Sequence, residues 1–133
     1  MGKILGIIGG GQLGMMLTEA AKNMKTDISE IIVLDPTENC PASKIGALQI
    51  VADFKNSSAI KELASKCDII TYEIESGDSK ILKNLENECE INPSPETLEI
   101  IQDKLTQKKF LAENNIPVAE FREISSKNEL ESK

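Results

Sequence analysis

The 133-residue chain has no histidine at all, so the commonest general base and the commonest metal ligand are both missing. Any chemistry must rest on carboxylates, lysines, backbone amides or imported ions. The three cysteines, Cys40, Cys67 and Cys89, are odd in number, widely spaced and include no C-x-x-C pair, which argues against a disulfide framework and a zinc site. Aromatics are confined to Phe54, Tyr72, Phe110 and Phe121, so Ile, Leu, Val and Ala must build the core. Long apolar runs are also lacking: Ile4 to Ile8 is far too short to span a membrane, and no basic start with a small-residue cleavage site precedes it. A cytoplasmic location is expected. Positive charge is scarce, with 15 Lys and Arg against 22 Asp and Glu for a net charge of -7, and it gathers into no stripe. A nucleic-acid backbone or an anionic membrane would be repelled on average, leaving a small molecule as the expected partner.

What is present is a pattern of short apolar runs alternating with amphipathic segments, the mark of βα repetition and a parallel sheet. Ile4 to Ile8 reads as the first strand, and Leu13, Met16, Leu17 and Ala20 recur after it at helical spacing. Ile31 to Leu34, ending at Asp35-Pro36, completes a βαβ unit. Thr37 to Lys44 reads as a loop and Leu48 to Val51 as a third strand. A helix from about Ser57 turns Ile60, Leu63 and Ala64 inward. It leads to a fourth strand, Asp68 to Tyr72, whose end delivers Glu73 and Glu75. A further helix carries Ile81, Leu82 and Leu85, and Glu90 to Asn92 suits a fifth strand. Ser94-Pro95-Glu96 starts another helix, since Ser caps free amides, Pro fits the first turn and Glu opposes the helix dipole. Leu98 to Ile101 and Leu105 to Leu111 read as helical, 114–117 as a break, Val118 to Ile124 as a new strand, and Ser126 to Glu129 as a capping box. This divides the chain into an α/β domain over 1–95 and, over 96–133, a connector with the first elements of an incomplete second domain.

The turn Gly9-Gly10-Gly11-Gln12-Leu13-Gly14 satisfies G-x-G-x-x-G in its required context, after a strand and opening a helix. Glycines let backbone amides approach an anion, and the helix start adds about half a positive charge. Asp35, at the end of the second strand, stands where a dinucleotide-binding acid would hold the adenosine ribose, although Asp-Pro after a buried strand is also an ordinary turn. An NAD-binding oxidoreductase domain is therefore one reading of these residues.

Several segments taken in order carry a more specific signal: IIGGGQLGMML at 7–17, VLDP at 33–36, DIITYEIES at 68–76, PSPETLEIIQDKLTQKKFL at 93–111 and IPVAEF at 116–121. Together they resemble the N-terminal portion of the N5-carboxyaminoimidazole ribonucleotide synthetases, ATP-grasp ligases of purine biosynthesis. The sister formate-dependent glycinamide ribonucleotide transformylases share a similar layout and form the alternative. The resemblance implies a Rossmann-like preATP-grasp domain with a parallel sheet, followed by the start of an ATP-grasp domain. Its turn would face a ribonucleotide, not NAD. Such enzymes use ATP to convert bicarbonate to carboxyphosphate and transfer the carboxyl group to the exocyclic amine of 5-aminoimidazole ribonucleotide.

Matched position by position, the resemblance implies that Gln12 and Leu13, with the amides of Gly10 and Gly11, contact the ribonucleotide and that Glu73 reaches the same substrate. Lys104 matches a basic position that contacts ATP. ATP and Mg2+ are the implied cofactors, held mainly by parts beyond Lys133, and no catalytic residue or metal ligand is expected within the chain. The full-length enzyme is expected to be a homodimer and these 133 residues alone to be inactive. Met15 departs from the family, standing where a basic residue is common, so amides would hold an anion with less help from side-chain charge. Tyr72 and Glu75 lie close enough in sequence to line the pocket, but packing and solvation explain them equally well.

Overall fold

The structure is a computed structural model and describes residues 2–24 and 27–131. The chain divides into two compact units, 1–99 and 100–133.

In the first unit, β1 (Lys3–Ile8), β2 (Ile28–Asp35), β3 (Leu48–Val51), β4 (Ile69–Tyr72) and β5 (Glu90–Ile91) form one sheet in the order β3-β2-β1-β4-β5. All four pairings are parallel, with Ile7 opposite Val33 on one side and Thr71 on the other. Parallel strands need crossovers, and the amphipathic segments supply them: α1 (Gln12–Asn23), α2 (Pro41–Lys44), α3 (Ser57–Lys66) and α4 (Ser79–Leu85). Alternate residues of a strand face opposite sides, which divides the core in two. Ile7, Ile31 and Val33 pack with Ala21 of α1 and Ala42 of α2. Gly6 faces the other way, against Leu63 of α3 and Cys67. Covering both faces is what lets β1 and β2 be apolar almost throughout.

Local chemistry starts and stops these elements. The Asn56 side chain accepts from the Ala59 amide to cap α3, and Asp78 does the same for α4 through the Lys80 and Ile81 amides. The predicted inner face of α3 is deeply buried at Ile60, Leu63 and Ala64, as are Leu82 and Leu85 of α4. The helix predicted at Ser94 is α5 (Pro95–Gln102).

The second unit contains α6 (Lys104–Glu113) and α7 (Lys127–Glu131). The break predicted at 114–117 is a Schellman stop: Asn115 adopts φ 56°, its amide bonds the Ala112 carbonyl, and the Ile116 amide bonds that of Leu111 at 2.9 Å. The capping box at the start of α7 forms in modified shape. The Glu129 amide reaches Ser126 Oγ at 3.3 Å, while the Glu129 carboxylate accepts from the Ser125 amide.

Three expectations need correction. The apolar stripe of α1 is not its buried face: Leu13 is 57% exposed and Met16 54%, while Gly14, Thr18 and Ala21 face inward. The helix lies so near the sheet that only small residues fit, and the buried Thr18 hydroxyl is satisfied by the Gly14 carbonyl at 2.8 Å. The segment read as a loop contains α2, because Pro41 fits a first helical position and Cys40 takes the extended cap conformation before it. Val118 to Ile124 is not a strand. A strand needs a neighbour to share its amides and carbonyls, and among the described residues of this unit there is none.

Candidate functional site

β1 ends at Ile8, and its two neighbours diverge there, β2 connecting onward to one side of the sheet and β4 to the other. Such a switch point opens a crevice at the carboxyl ends of the strands. The glycine turn occupies this place. The Gly9 amide bonds the Leu34 carbonyl at the end of β2 (2.9 Å), and the Glu73 amide bonds the Ile8 carbonyl at the end of β4 (3.1 Å). Gly9 adopts φ 108°, a conformation that side-chain-bearing residues avoid, and a Cβ on Gly14 would strike the Gly9 carbonyl. Gly11 then serves as the cap of α1. No side chain caps this helix and no acid lies in its first turn, so its positive end stays available to a ligand. Gln12 and Leu13 are exposed at this end.

Two acids flank the turn. Asp35 is 6% exposed, and both its oxygens are engaged: Oδ2 accepts from the Gly10 amide and Oδ1 from the Thr37 amide, each at 2.8 Å. The acid that would hold the ribose in a dinucleotide site is thus turned onto backbone. Glu73 is half-buried and lies across the turn, so close that a Cβ built on Gly9 would sit 2.6 Å from its Oε1 and one on Gly11 3.8 Å away. Burial pushes the Glu73 carboxyl above the usual carboxylate range, and the negative charges of Asp35 and Glu75 push it further. A carboxyl held this way accepts hydrogen bonds from a hydroxyl or amine more readily than it tolerates an anion.

The structure places the expected site residues as follows. Gly9 and Gly11 lie against Glu73, and Gln12 and Leu13 follow them exposed at the start of α1, whereas the Gly10 amide is already committed to Asp35. Tyr72 is buried and donates its hydroxyl to the Ser94 carbonyl at 3.0 Å, which makes it a packing residue tying β4 to the start of α5. Glu75 is exposed. Lys104 lies in the second unit, exposed at the first position of α6 behind the Asp103 cap. Lys109 pairs with Glu123 at 3.0 Å and Lys108 stands over the Phe121 ring, so neither is simply a solvated lysine.

Reading the sequence missed Cys40 and Ala42. Cys40, 1% exposed, lies against Gly10 where a Cβ would strike its sulfur, and the Ala42 amide bonds the Gly10 carbonyl at 3.0 Å. The Cys-Pro-Ala segment after Asp35 was the available signal. The thiols offer no nucleophile: all three are buried, and burial with Cys89 and Asp68 nearby pushes Cys67 up to about 12. Among the described residues no three His, Cys, Asp or Glu side chains gather as a metal site.

A parallel five-stranded sheet with a glycine turn at its switch point defines a Rossmann-like α/β domain, and the comparisons with known proteins agree. The chain belongs to the family described as the ribonucleotide synthetase preATP-grasp domain, which matches residues 1–102. More particularly, it is similar to N5-carboxyaminoimidazole ribonucleotide synthetases in their N-terminal preATP-grasp region. It is 40% identical over 129 residues to the N5-carboxyaminoimidazole ribonucleotide synthase of Brucella melitensis biotype 1, covering 97% of this chain and 35% of that protein. The crystal structure of the Thermotoga maritima synthetase superposes with a TM-score of 0.81 at 49% identity, over 98% of this chain and 35% of that one. The Aspergillus clavatus synthase, solved in complex with ADP and 5-aminoimidazole ribonucleotide, gives 0.84 at 37% identity, again over 98% and 35%. The chain thus spans about a third of the length of these relatives.

Proposed function

We propose that this chain forms the ribonucleotide-binding end of an ATP-dependent ligase of purine biosynthesis. In this reading, ATP phosphorylates bicarbonate to carboxyphosphate, releasing ADP. The exocyclic amine of 5-aminoimidazole ribonucleotide then takes the carboxyl group as phosphate leaves, giving N5-carboxyaminoimidazole ribonucleotide. The observation that carries the reading is the Glu73 carboxyl lying across the Gly9–Gly11 turn at the sheet's switch point. The relative solved with ADP and 5-aminoimidazole ribonucleotide supports it.

The residues present here bind and orient. The Gly11 amide and the first turn of α1, with Gln12 and Leu13, face the ribonucleotide, Gly10 fixes the wall behind them, and Glu73 accepts from its hydroxyls or amine. Lys104 is the exposed cation offered to ATP, where it would balance triphosphate charge. The groups that hold Mg2+ and activate bicarbonate lie outside these residues, so the 133-residue chain binds ligand without turning it over. The full-length ligase works in the cytoplasm as a homodimer.

Calorimetric titration of the chain tests this. Weak saturable binding of 5-aminoimidazole ribonucleotide, with less heat from glycinamide ribonucleotide and none from NAD, is expected. Heat with NAD and none with the ribonucleotide would make it a dinucleotide domain instead.

A further inference from the structure

The ribonucleotide reading says which groups meet the ligand but not what aims them. Gly10 is gripped on three sides. Its amide donates to buried Asp35 (2.8 Å), its carbonyl accepts from the Ala42 amide (3.0 Å), and Cys40 lies against its α-carbon. The strap that does this is itself tied down by Gln49, whose side-chain amide donates to the Asp35 and Thr37 carbonyls and whose oxygen accepts from the Cys40 amide. Across a trans peptide the carbonyl and the following N–H point in opposite directions. Because the Gly10 carbonyl is held toward α2, the Gly11 N–H is turned away from it, and Glu73 Oε1 lies 3.8 Å from where a Gly11 Cβ would stand.

We propose that Asp35 is a positioning residue: its bond fixes the Gly10 N–H while the Ala42 amide fixes the Gly10 carbonyl, and between them the two ends set the Gly10 backbone that aims the Gly11 N–H into the crevice. It touches no ligand. Resting on the ribonucleotide reading, this assigns the end of β2 the task of shaping the site and the end of β4 the task of meeting the substrate. Asp35 also acts on Glu73 through space, since it and Glu75 are the charges that bear on that carboxyl, both of them negative.

The test is nuclear magnetic resonance on the 133-residue chain and its Asp35→Asn variant. Asparagine keeps the shape but replaces one of the two acceptor oxygens by an amide NH2 donor, so one of the two backbone donors loses its partner. The variant should move the Gly11 amide resonance without ligand, bind 5-aminoimidazole ribonucleotide at least tenfold more weakly, and titrate Glu73 at lower pH because a neighbouring negative charge is gone. A role in folding alone would leave the Gly11 resonance and the affinity of the folded variant in place, while Glu73 would still titrate lower through the lost charge. A folded variant with unchanged Gly11 resonance and unchanged affinity overturns the proposal. Should the variant not fold, the original chain decides: ligand should shift the Gly11 amide and leave Gly10 nearly still, and an equal shift at Gly10 overturns it. If no ribonucleotide binds to the original chain while Asp35→Asn still moves Gly11 and Glu73, the aiming role stands and the ribonucleotide reading falls.

Discussion

The carboxyl ends of β2 and β4 bracket the same glycine turn, and each contributes an acid, yet the two ends are built differently. On the β2 side, Asp35 is sunk below the surface with both carboxylate oxygens on backbone amides, and the Gln49 side chain donates to its carbonyl. On the β4 side, Glu73 remains half-open, its carboxyl raised by burial and by like charges. A satisfied buried acid stabilises the fold, whereas a partly buried acid among negative charges costs stability unless something binds it. The contrast separates a region that fixes shape from one that is left to a ligand.

Substitutions can break or sharpen that contrast. The largest effect is expected at Gly14→Ala, which serves both sides at once: its methyl would strike the Gly9 carbonyl, so the helix must leave the sheet. Overpacking of backbone on backbone should cost about 3 kcal/mol or more, read as loss of a cooperative thermal melt. Asp35→Ala comes next. Two backbone donors lose their acceptor, at about 1–3 kcal/mol each, and chemical denaturation should show about 2–6 kcal/mol lost. Glu73→Gln has the smallest effect and the opposite sign. A carboxyl raised in the folded state contributes stability that is present below the ordinary carboxylate pKa and is lost as pH rises through the raised value. At neutral pH the ionised group is therefore a net cost, and the glutamine variant should melt slightly higher. The advantage should vanish in acid below the ordinary carboxylate pKa. A variant that melts lower at neutral pH would mean that Glu73 is structural after all.

Much of the frame was legible in the residues. β3 falls at Leu48–Val51 as predicted, the inner face of α3 is right, and the stop after α6 is written in Asn114, Asn115 and Pro117. These are local signals, carried by neighbours within a few positions. The failures are non-local. Periodicity shows that Leu13, Met16 and Leu17 share a face, but which face is covered depends on how near α1 comes to the Gly9 carbonyl. Val118 to Ile124 has strand composition without a strand beside it. The site shows the same division. The glycine turn could be read directly and Glu73 through the family pattern, while the role of Asp35 rests on a contact with Gly10, 25 positions away in the chain. Asp35 looked like a ribose ligand because its place at a strand end is shared by both roles.

On the proposed function, Glu73 lies across the Gly9–Gly11 turn to meet a ribonucleotide. Calorimetric titration of 5-aminoimidazole ribonucleotide into Glu73→Gln, beside the original chain and at neutral pH, tests it most directly. The original chain should give saturable heat, and the variant, folded and at least as heat-stable, none. Equal affinity in the two proteins would contradict it.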